Sequence, residues 1–163
     1  GAFAVQAQKA GARESIAIDS SATACNWIRH NAALNGVEVT TIQEDAREAM
    51  EKMVSENQRF DVVSIDPPAF AKNKAALQGA VAGYKEINLR AIKLLNPGGH
   101  LITCSCSYNV DEAMFAEAVF AASSDAHIPV TVVEKRMQGR DHPVLLGVPE
   151  TYYLKSFILR KLA

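Results

Sequence analysis

Apolar residues along the chain recur at two spacings, one typical of helices and one typical of strands. Cys25, Ile28 and Ala32 lie three and four positions apart, which predicts a helix with one buried face. Shorter apolar runs that end at an acidic residue predict strands instead. The pattern predicts strands at 15–19, 37–42, 60–66, 100–105, 130–134 and 156–160. Helices are predicted in the gaps between the first five strands and at 2–10, and a long loop precedes the last strand.

Strands that are separated by helix-length segments favour parallel pairing through right-handed crossovers. The predicted fold class is therefore α/β, and the length of 163 residues predicts a single domain, 1–163. The carboxyl ends of parallel strands share one edge of a sheet, which is where open α/β folds bind their ligands. We expect the residues at or just past these strand ends to converge on that edge: Asp19, Asp45, Asp66 and the stretch 104–107.

The segment Asp66-Pro67-Pro68-Ala69-Phe70 follows the apolar run 60–65, which is interpreted as a buried strand. Neither proline can donate a backbone hydrogen bond, and the first biases Asp66 toward an extended backbone. The segment therefore predicts a stiff turn that holds an acid and an aromatic ring at the edge of the sheet. Such a turn suits the binding of a flat, polar ring. The alternative is an ordinary turn at the end of a strand, with Phe70 in the core.

Composition and charge narrow the classes of function. The net charge is −1, so the domain as a whole lacks a basic footprint for nucleic acid. The stretch 72–93 nevertheless carries five bases and one acid, which indicates either phosphate contacts or solvated helix faces. No apolar run approaches a membrane span, and three cysteines make no disulfide framework, so a reducing cytoplasm is expected. Cys25 is predicted to be a buried packing residue. The pair Cys104 and Cys106 has no nearby His or further Cys and so lacks the spacing of a zinc site, and no metal is expected.

Four blocks of sequence, at 66–72, 83–88, 103–107 and 141–143, together resemble one family over essentially the whole chain. It is the bacterial PUA-domain-containing class I methyltransferases that use S-adenosylmethionine, whose characterised members make 5-methylcytosine in large-subunit ribosomal RNA. The resemblance implies a Rossmann-like class I methyltransferase fold with a mostly parallel sheet and an antiparallel C-terminal strand. It also implies S-adenosylmethionine as the methyl donor, large-subunit ribosomal RNA as the partner, and neither a membrane nor a metal.

The resemblance further implies that the chain is the N-terminally truncated catalytic domain of a longer protein. The first predicted strand follows a helix, and in the resembled fold that strand is the second one. We therefore expect the natural protein to continue upstream with the missing first strand and with an RNA-binding PUA domain.

By the same resemblance, six residues are expected to line the cofactor pocket: Phe3, Asp19, Ser20, Asp45, Ala46 and Asp66. Asp19 would hold the ribose diol, Asp45 and Ala46 the adenine, and Asp66 would orient both the methyl donor and the target base. Substrate contacts are expected from Pro67, Pro68, Phe70, Lys72 and Lys85. The loop at 141–143 would flank the base pocket, although a lone loop histidine such as His142 is more often a solvated surface residue.

Methylation at cytosine C5 needs a nucleophile, because thiolate attack on C6 makes C5 enamine-like and reactive toward a sulfonium methyl group. The stretch 104–107 offers two cysteines. In RNA cytosine-C5 methyltransferases generally, the nucleophile lies in a Thr-Cys-Ser block that is followed by Glu. Cys106, with Asn109 and Glu112 after it, matches that block better than Cys104. The interpretation also places the two sulfurs on opposite faces of the strand and treats Cys104 as a small core residue.

One position departs from the family pattern. Ala69 stands where many RNA cytosine-C5 enzymes carry a second cysteine, which helps to release the product. Related guanine methyltransferases have an Asp-Pro-Pro turn and need no cysteine, so methylation of a guanine nitrogen in ribosomal RNA is an alternative. A catalytically silent RNA-binding module is a second alternative. A third, a nicotinamide-dependent oxidoreductase, is disfavoured because no Gly-x-Gly-x-x-Gly turn is present.

Overall fold

The computed structural model describes residues 1–70 and 77–162, which form two compact units. The first unit is Gly1–Met53 and the second begins at Val54. The helices are α1 (Ala2–Lys9), α2 (Ala22–Leu34), α3 (Ala46–Ser55), α4 (Leu77–Lys93) and α5 (Glu112–Ala126). The strands are β1 (Ile16–Asp19), β2 (Thr40–Gln43), β3 (Phe60–Ile65), β4 (Leu95–Ser105), β5 (Val130–Arg136) and β6 (Lys155–Lys161). A short 3-10 helix, Pro149–Thr151, lies in the loop before β6.

In the first unit, β1 and β2 form a parallel pair whose register runs from Ile16 opposite Thr40 to Asp19 opposite Gln43. Asp19 is therefore the last residue of β1, and Asp45 comes two residues after the end of β2. Helix α2 begins after Ser21, whose hydroxyl caps it by accepting a hydrogen bond from the backbone N–H of Ala24 at 3.3 Å. The predicted stripe of this helix is buried, and its Cys25 is fully so, as expected of a packing residue.

In the second unit, the strands lie in the order β3-β4-β6-β5. β3 and β4 are parallel, whereas β6 lies between β4 and β5 and is antiparallel to both. The predicted α/β class, with parallel pairs and an antiparallel C-terminal strand, is confirmed.

The prediction that 60–65 is a buried strand is wrong. Ile65 is buried, but the Val62 side chain is 58% exposed and Asp61 is also exposed. The physical reason is the position of β3, which is an edge strand that pairs with β4 alone among the residues described. Its apolar residues therefore have a neighbouring strand on one side only.

Residues 96–99 interrupt the pairing of β4 with β3. Leu95 pairs with Phe60 and His100 pairs with Val62, so the residues between them bulge out of the ladder. Gly99 lies so close to β3 that a Cβ on it would be 3.1 Å from the backbone oxygen of Asp61. Glycine is needed here because the backbones approach each other.

An aromatic cluster supports the carboxyl end of β4. The ring of Tyr84 in α4 lies 5.3 Å from that of Phe115 in α5, and Phe115 stacks on Phe157 of β6 at 5.2 Å. All three side chains are buried. Helices α4 and α5 are thereby packed against the sheet beside the stretch that carries the two candidate cysteines.

Candidate active site

Cys106 is the first residue after β4, and it lies beside the proline turn that follows β3. Its Sγ is 3.8 Å from the carbonyl oxygen of Pro67. The Cys106 side chain is half-buried, Pro67 is buried and Pro68 is exposed. The structure therefore brings together the two sequence blocks that contain the predicted catalytic residues, because β3 and β4 are neighbouring parallel strands.

Cys104 has a different environment. Its side chain is buried, and its Sγ is 3.3 Å from the hydroxyl of Ser156 on β6. Burial raises the pKa of the Cys104 thiol, the hydrogen bond that the thiol shares with the Ser156 hydroxyl partly opposes this, and the charges of Asp66 and Cys106 add to the rise. A thiol whose pKa is raised is a poor source of thiolate, which favours a packing role for Cys104.

The interpretation that places the two sulfurs on opposite faces is wrong. Residues two apart along an extended strand point to the same side, so positions 104 and 106 share a face. The two thiols differ in burial: Cys104 is buried within β4, whereas Cys106 is half-buried and lies past the end of the strand.

Asp66 is exposed, yet the protein around it removes enough water to raise the pKa of its carboxyl group. Desolvation disfavours the charged form of an acid. Asp66 therefore keeps its proton to a higher pH than a free aspartic acid does.

Lys155 is a functional candidate that the sequence analysis does not single out. It is the first residue of β6 and its side chain is 2% exposed. The Nζ atom donates hydrogen bonds to the carbonyl oxygens of Ser107 at 2.7 Å and Tyr153 at 3.0 Å. Burial lowers the pKa of Lys155, while the charges of Cys106 and Asp111 raise it. The alternation of buried Lys155, Phe157 and Leu159 is a signal by which the sequence could have placed this lysine on the inner face.

Ser107, the residue after Cys106, is held from helix α4. The Tyr84 hydroxyl and the Ser107 hydroxyl lie 2.9 Å apart in the interior. Asp111 caps α5 by accepting a hydrogen bond from the Met114 N–H at 2.8 Å. These contacts fix where the backbone turns after Cys106.

Phe70 packs against α4. Its ring centroid lies 4.8 Å from that of Tyr84, and a Cβ on Gly83 would be 3.3 Å from the Phe70 ring. The side chain is half-buried. Phe70 therefore makes a packing contact with α4, and only the exposed part of its ring is accessible to a substrate.

The predicted cofactor residues other than Asp66 belong to the first unit. Asp19 accepts a hydrogen bond from the Ser21 N–H through Oδ1 at 2.8 Å. Asp45 accepts one from the Arg47 N–H at 2.9 Å, and its hydrogen bonds and ion pair with Arg47 lower the pKa of its carboxyl. Both carboxylates lie at the same edge of the β1–β2 pair. Around them, Ser20 and Phe3 are exposed, Phe3 by 58%, and Ala46 is half-buried.

The remaining predicted residues that the structure describes contact groups other than Cys106. Lys85 forms an ion pair with Asp125 at 2.6 Å. Asp125 is near the C-terminal end of the 15-residue helix α5, and that end lies about 20 Å from the Asp111 cap at the N-terminal end. Lys72 lies outside the described residues. His142 is exposed, with its Nε2 3.6 Å from Asp141. Glu112 pairs with Lys135 at 2.6 Å and accepts a hydrogen bond from the Tyr152 hydroxyl at 3.1 Å.

Over the parts of the chain that the structure describes, no helix is long and apolar enough to cross a membrane. Within those same parts, no group of three or more His, Cys, Asp or Glu side chains is arranged to hold a metal ion.

Comparison with known proteins places this geometry in context. A family model described as "Conserved hypothetical protein 95" matches residues 1–113. The chain is 39% identical to ribosomal RNA large subunit methyltransferase I of Aeromonas salmonicida over 163 residues, which are 98% of this chain and 41% of that protein. The chain therefore spans about two fifths of the length of this curated relative.

Solved structures share the fold. SMU.776 in complex with SAH superposes with a TM-score of 0.84 at 20% identity, covering 98% of this chain and 42% of that one. The SAM-dependent methyltransferase of Agrobacterium tumefaciens superposes with a TM-score of 0.69 at 20% identity, covering 99% of this chain and 52% of that one. The chain has the Rossmann-like α/β fold of these proteins.

Proposed function

Since the chain belongs to the "Conserved hypothetical protein 95" family, we propose that it is the catalytic domain of an S-adenosylmethionine-dependent methyltransferase acting on large-subunit ribosomal RNA. The name and the 39% identity of the Aeromonas salmonicida relative support this substrate class. We further propose that the target is C5 of a cytosine and that Cys106 is the nucleophile. The observation that carries the finer proposal is the half-buried Cys106 thiol, 3.8 Å from the Pro67 carbonyl and next in sequence to the end of β4.

The residues of the first unit fit the methyl donor chemically. Asp19 uses Oδ1 to accept from Ser21, and Oδ2 makes no hydrogen bond with any residue the structure describes. A carboxylate oxygen with free lone pairs can accept from a ribose hydroxyl. Asp45 and Ala46, past the end of the next strand, would hold the adenine. The donor would supply an electrophilic methyl group on a sulfonium.

The chemistry at Cys106 proceeds in two halves. In the first, the thiolate attacks C6 of cytosine and forms an S–C6 bond, which moves an electron pair to C5. C5 then takes the methyl carbon as the carbon–sulfonium bond of the donor breaks. In the second half, a base removes the C5 proton, the C5–C6 double bond reforms, and the S–C6 bond breaks to return the thiolate.

Asp66 assists the first half. Charge builds on the ring when the thiolate adds, and an acid that donates a hydrogen bond to N3 offsets that charge. Desolvation raises the pKa of the Asp66 carboxyl, which acts in the direction of the protonated form that can donate this hydrogen bond. Asp66 also lies one residue before Pro67, whose carbonyl contacts Cys106, so acid and nucleophile belong to one local structure.

One observation favours a second function. Ala69, half-buried just after the proline turn, provides no second thiol for product release. A guanine-nitrogen methyltransferase needs no cysteine, because the ring nitrogen attacks the methyl group directly. In that case Asp66 would accept a hydrogen bond from the guanine in place of donating one to a cytosine.

The test is methyl transfer from labelled S-adenosylmethionine to unmodified large-subunit ribosomal RNA by the full-length protein, followed by digestion and identification of the labelled nucleoside. Label in 5-methylcytidine is the expected result. Label in a methylguanosine would replace the cytosine proposal with the second function. No transfer to the RNA, with the donor still bound, would favour the silent RNA-binding module.

A further inference from the structure

Tyr84 of α4 contacts both of the sequence blocks that form the candidate site. Its hydroxyl lies 2.9 Å from the hydroxyl of Ser107, the residue after Cys106. Its ring centroid lies 4.8 Å from that of Phe70, which comes just after the two prolines of the turn that follows β3. The Cys106 Sγ and the Pro67 carbonyl oxygen, 3.8 Å apart, join the same two blocks directly. One side chain on a helix therefore touches the chain beside the candidate nucleophile and the chain beside the candidate acid.

Tyr84 is itself held in a fixed position. Its side chain is completely buried, and its ring meets the ring of Phe115 edge-on at 5.3 Å. Asn88, one turn further along α4 and also completely buried, donates a hydrogen bond from Nδ2 to the Tyr84 carbonyl at 2.8 Å. A close-packed interior leaves such a ring little room to move. Tyr84 can therefore serve as a fixed reference point for the segments that it contacts.

The contact with Phe70 depends on the residue that precedes Tyr84. A Cβ on Gly83 would be 3.3 Å from the Phe70 ring, which is tighter than an ordinary van der Waals contact. Glycine is unfavourable inside a helix, so α4 loses helix propensity at this position. In return, the bare backbone lets the Phe70 ring approach the helix and reach Tyr84.

We propose that Tyr84 is a positioning residue for the candidate site: its hydroxyl fixes Ser107 and its ring fixes Phe70, so that Cys106 and the proline turn keep one relative position. This rests on the proposed function insofar as Cys106 attacks the base. Tyr84 acts through the backbone, because Ser107 is bonded to Cys106 and Phe70 belongs to the segment that begins at Asp66. Attack on a bound base depends steeply on such positions, since a displacement of about 1 Å can cost about a hundredfold in rate.

The first arm of the experiment measures kcat and KM for methyl transfer to ribosomal RNA by the full-length protein. Tyr84→Phe removes the hydroxyl and keeps the ring against Phe70. It should lower kcat about tenfold and leave KM for the RNA within about twofold, because the positions of the reacting groups change and the RNA-binding surface does not. Ser107→Ala breaks the same hydrogen bond from the other side and should cause a similar loss. The double variant should lose little more than either single one, because both substitutions remove one interaction.

The second arm needs no methyl transfer. Amide hydrogen exchange, followed by mass spectrometry of peptides, reports local opening of the chain. Tyr84→Phe and Ser107→Ala should each speed exchange in the peptide 105–110 on the order of fivefold, which is the effect of losing one buried hydrogen bond. Exchange in the middle of α5 should stay as in the native protein.

Ser123→Ala is the matched control for a general loss of stability. The Ser123 hydroxyl donates to the Ile128 carbonyl at 2.7 Å, near the far end of α5. Its loss should leave kcat and the exchange of 105–110 unchanged.

A second matched pair tests the contact with Phe70. Gly83→Ala should lower kcat by about threefold or more, because its methyl group displaces the Phe70 ring. Gly79→Ala lies in the same helix with nothing within 4 Å of its Cβ, and it should leave kcat unchanged.

Unchanged kcat or unchanged exchange at 105–110 in folded Tyr84→Phe would overturn the proposal, as would an equal fall of kcat in Ser123→Ala. Equal rates for Gly83→Ala and Gly79→Ala would overturn the part that concerns Phe70. If Tyr84→Phe fails to fold by circular dichroism, Ser107→Ala decides in its place. If the native protein transfers no methyl group to RNA, the proposed function fails and the exchange of 105–110 decides alone whether Tyr84 fixes Ser107.

Discussion

The sulfur of Cys106 and the carbonyl oxygen of Pro67 lie 3.8 Å apart, although the residues are 39 positions apart in sequence. The contact joins the end of β4 to the turn after β3. It follows from the parallel pairing of these strands, whose register places Ile65 opposite Thr103. Two blocks that are far apart in the sequence therefore lie next to each other in the fold.

If Cys106 is the nucleophile, Cys106→Ala should abolish methyl transfer to ribosomal RNA, by about a thousandfold or more, because losing the attacking group removes the covalent route. RNA containing 5-fluorocytosine should form a stable covalent complex with the native protein and none with the variant, since fluorine cannot leave C5 as a proton does. The complex is detected as a band of reduced mobility on a denaturing gel.

Cys104→Ala is the matched control for that experiment. Its thiol is buried against Ser156 and its pKa is raised, so the substitution should keep most of the transfer and all of the trapping. Trapping that is lost in Cys104→Ala but kept in Cys106→Ala would reverse the assignment of the two cysteines.

Asp19→Ala should weaken binding of S-adenosylmethionine by roughly 10–150-fold, because a hydrogen bond to a charged acceptor contributes about 1.5–3 kcal/mol. Titration calorimetry gives the affinity. Asp19 also accepts from the Ser21 N–H, so a loss of local structure must be separated from a loss of ligand contact. Ser21→Ala removes the cap of α2 and should leave the affinity within about twofold. Equal affinities for Asp19→Ala and the native protein would exclude the ribose role.

Much of the fold could be predicted from the sequence, because its signals are local. Stripes such as Cys25, Ile28 and Ala32 predict helices, and caps such as Ser21 and Asp111 mark where they begin. The exposure of β3 could not be predicted, because a run of apolar residues reads the same in an edge strand as in a central one. Which strands become neighbours is a property of the whole sheet.

The sequence marks the candidate site where strand ends carry unusual residues, but it does not mark a charged residue that becomes buried. Asp66 and Cys106 stand out in the sequence because a proline pair and a cysteine at strand ends are distinctive. Lys155 does not, since a lysine at a strand end is most often a solvated residue. Its burial and its two carbonyl contacts exist only in the folded chain.

Tyr84→Phe should lower the free energy of unfolding by about 1 kcal/mol, because it removes the buried hydrogen bond to the Ser107 hydroxyl while keeping the ring. Denaturant unfolding measures this as a lower midpoint with an unchanged slope. Tyr108→Phe is the control. The Tyr108 side chain is 49% exposed and its hydroxyl is 3.4 Å from Glu150, so its loss should cost less than about 0.5 kcal/mol. Equal effects of the two substitutions would contradict the buried contact.

Gly99→Ala should destabilise the protein by about 1–3 kcal/mol, because the added methyl group would be 2.9 Å from the backbone oxygen of Asn96 and 3.1 Å from that of Asp61. Backbone atoms cannot move aside as a flexible side chain can. Gly79→Ala is the comparison, since nothing lies within 4 Å of a Cβ there and the residue is in α4. Alanine should be neutral or stabilising in that helix by up to about 1 kcal/mol. Thermal unfolding of both variants measures the contrast, and a harmless Gly99→Ala would show that β3 and β4 are not this close.

Glu112→Gln should destabilise the protein more at pH 7 than at pH 4. The hydrogen bond and charge of Lys135, with a further hydrogen bond from Tyr152, lower the pKa of Glu112 below its ordinary value of 4.5. A carboxyl whose pKa is lower in the folded state contributes stability above its unfolded pKa and loses that contribution as the pH falls through the folded value. Glutamine lacks the charge at every pH, so the difference between the two proteins should shrink as the solution is acidified. Denaturant midpoints at the two pH values measure it, with Glu117→Gln, an exposed position on the same helix, as the control. A difference that stays constant with pH, or grows on acidification, would show that the Glu112 carboxylate does not stabilise the fold through Lys135.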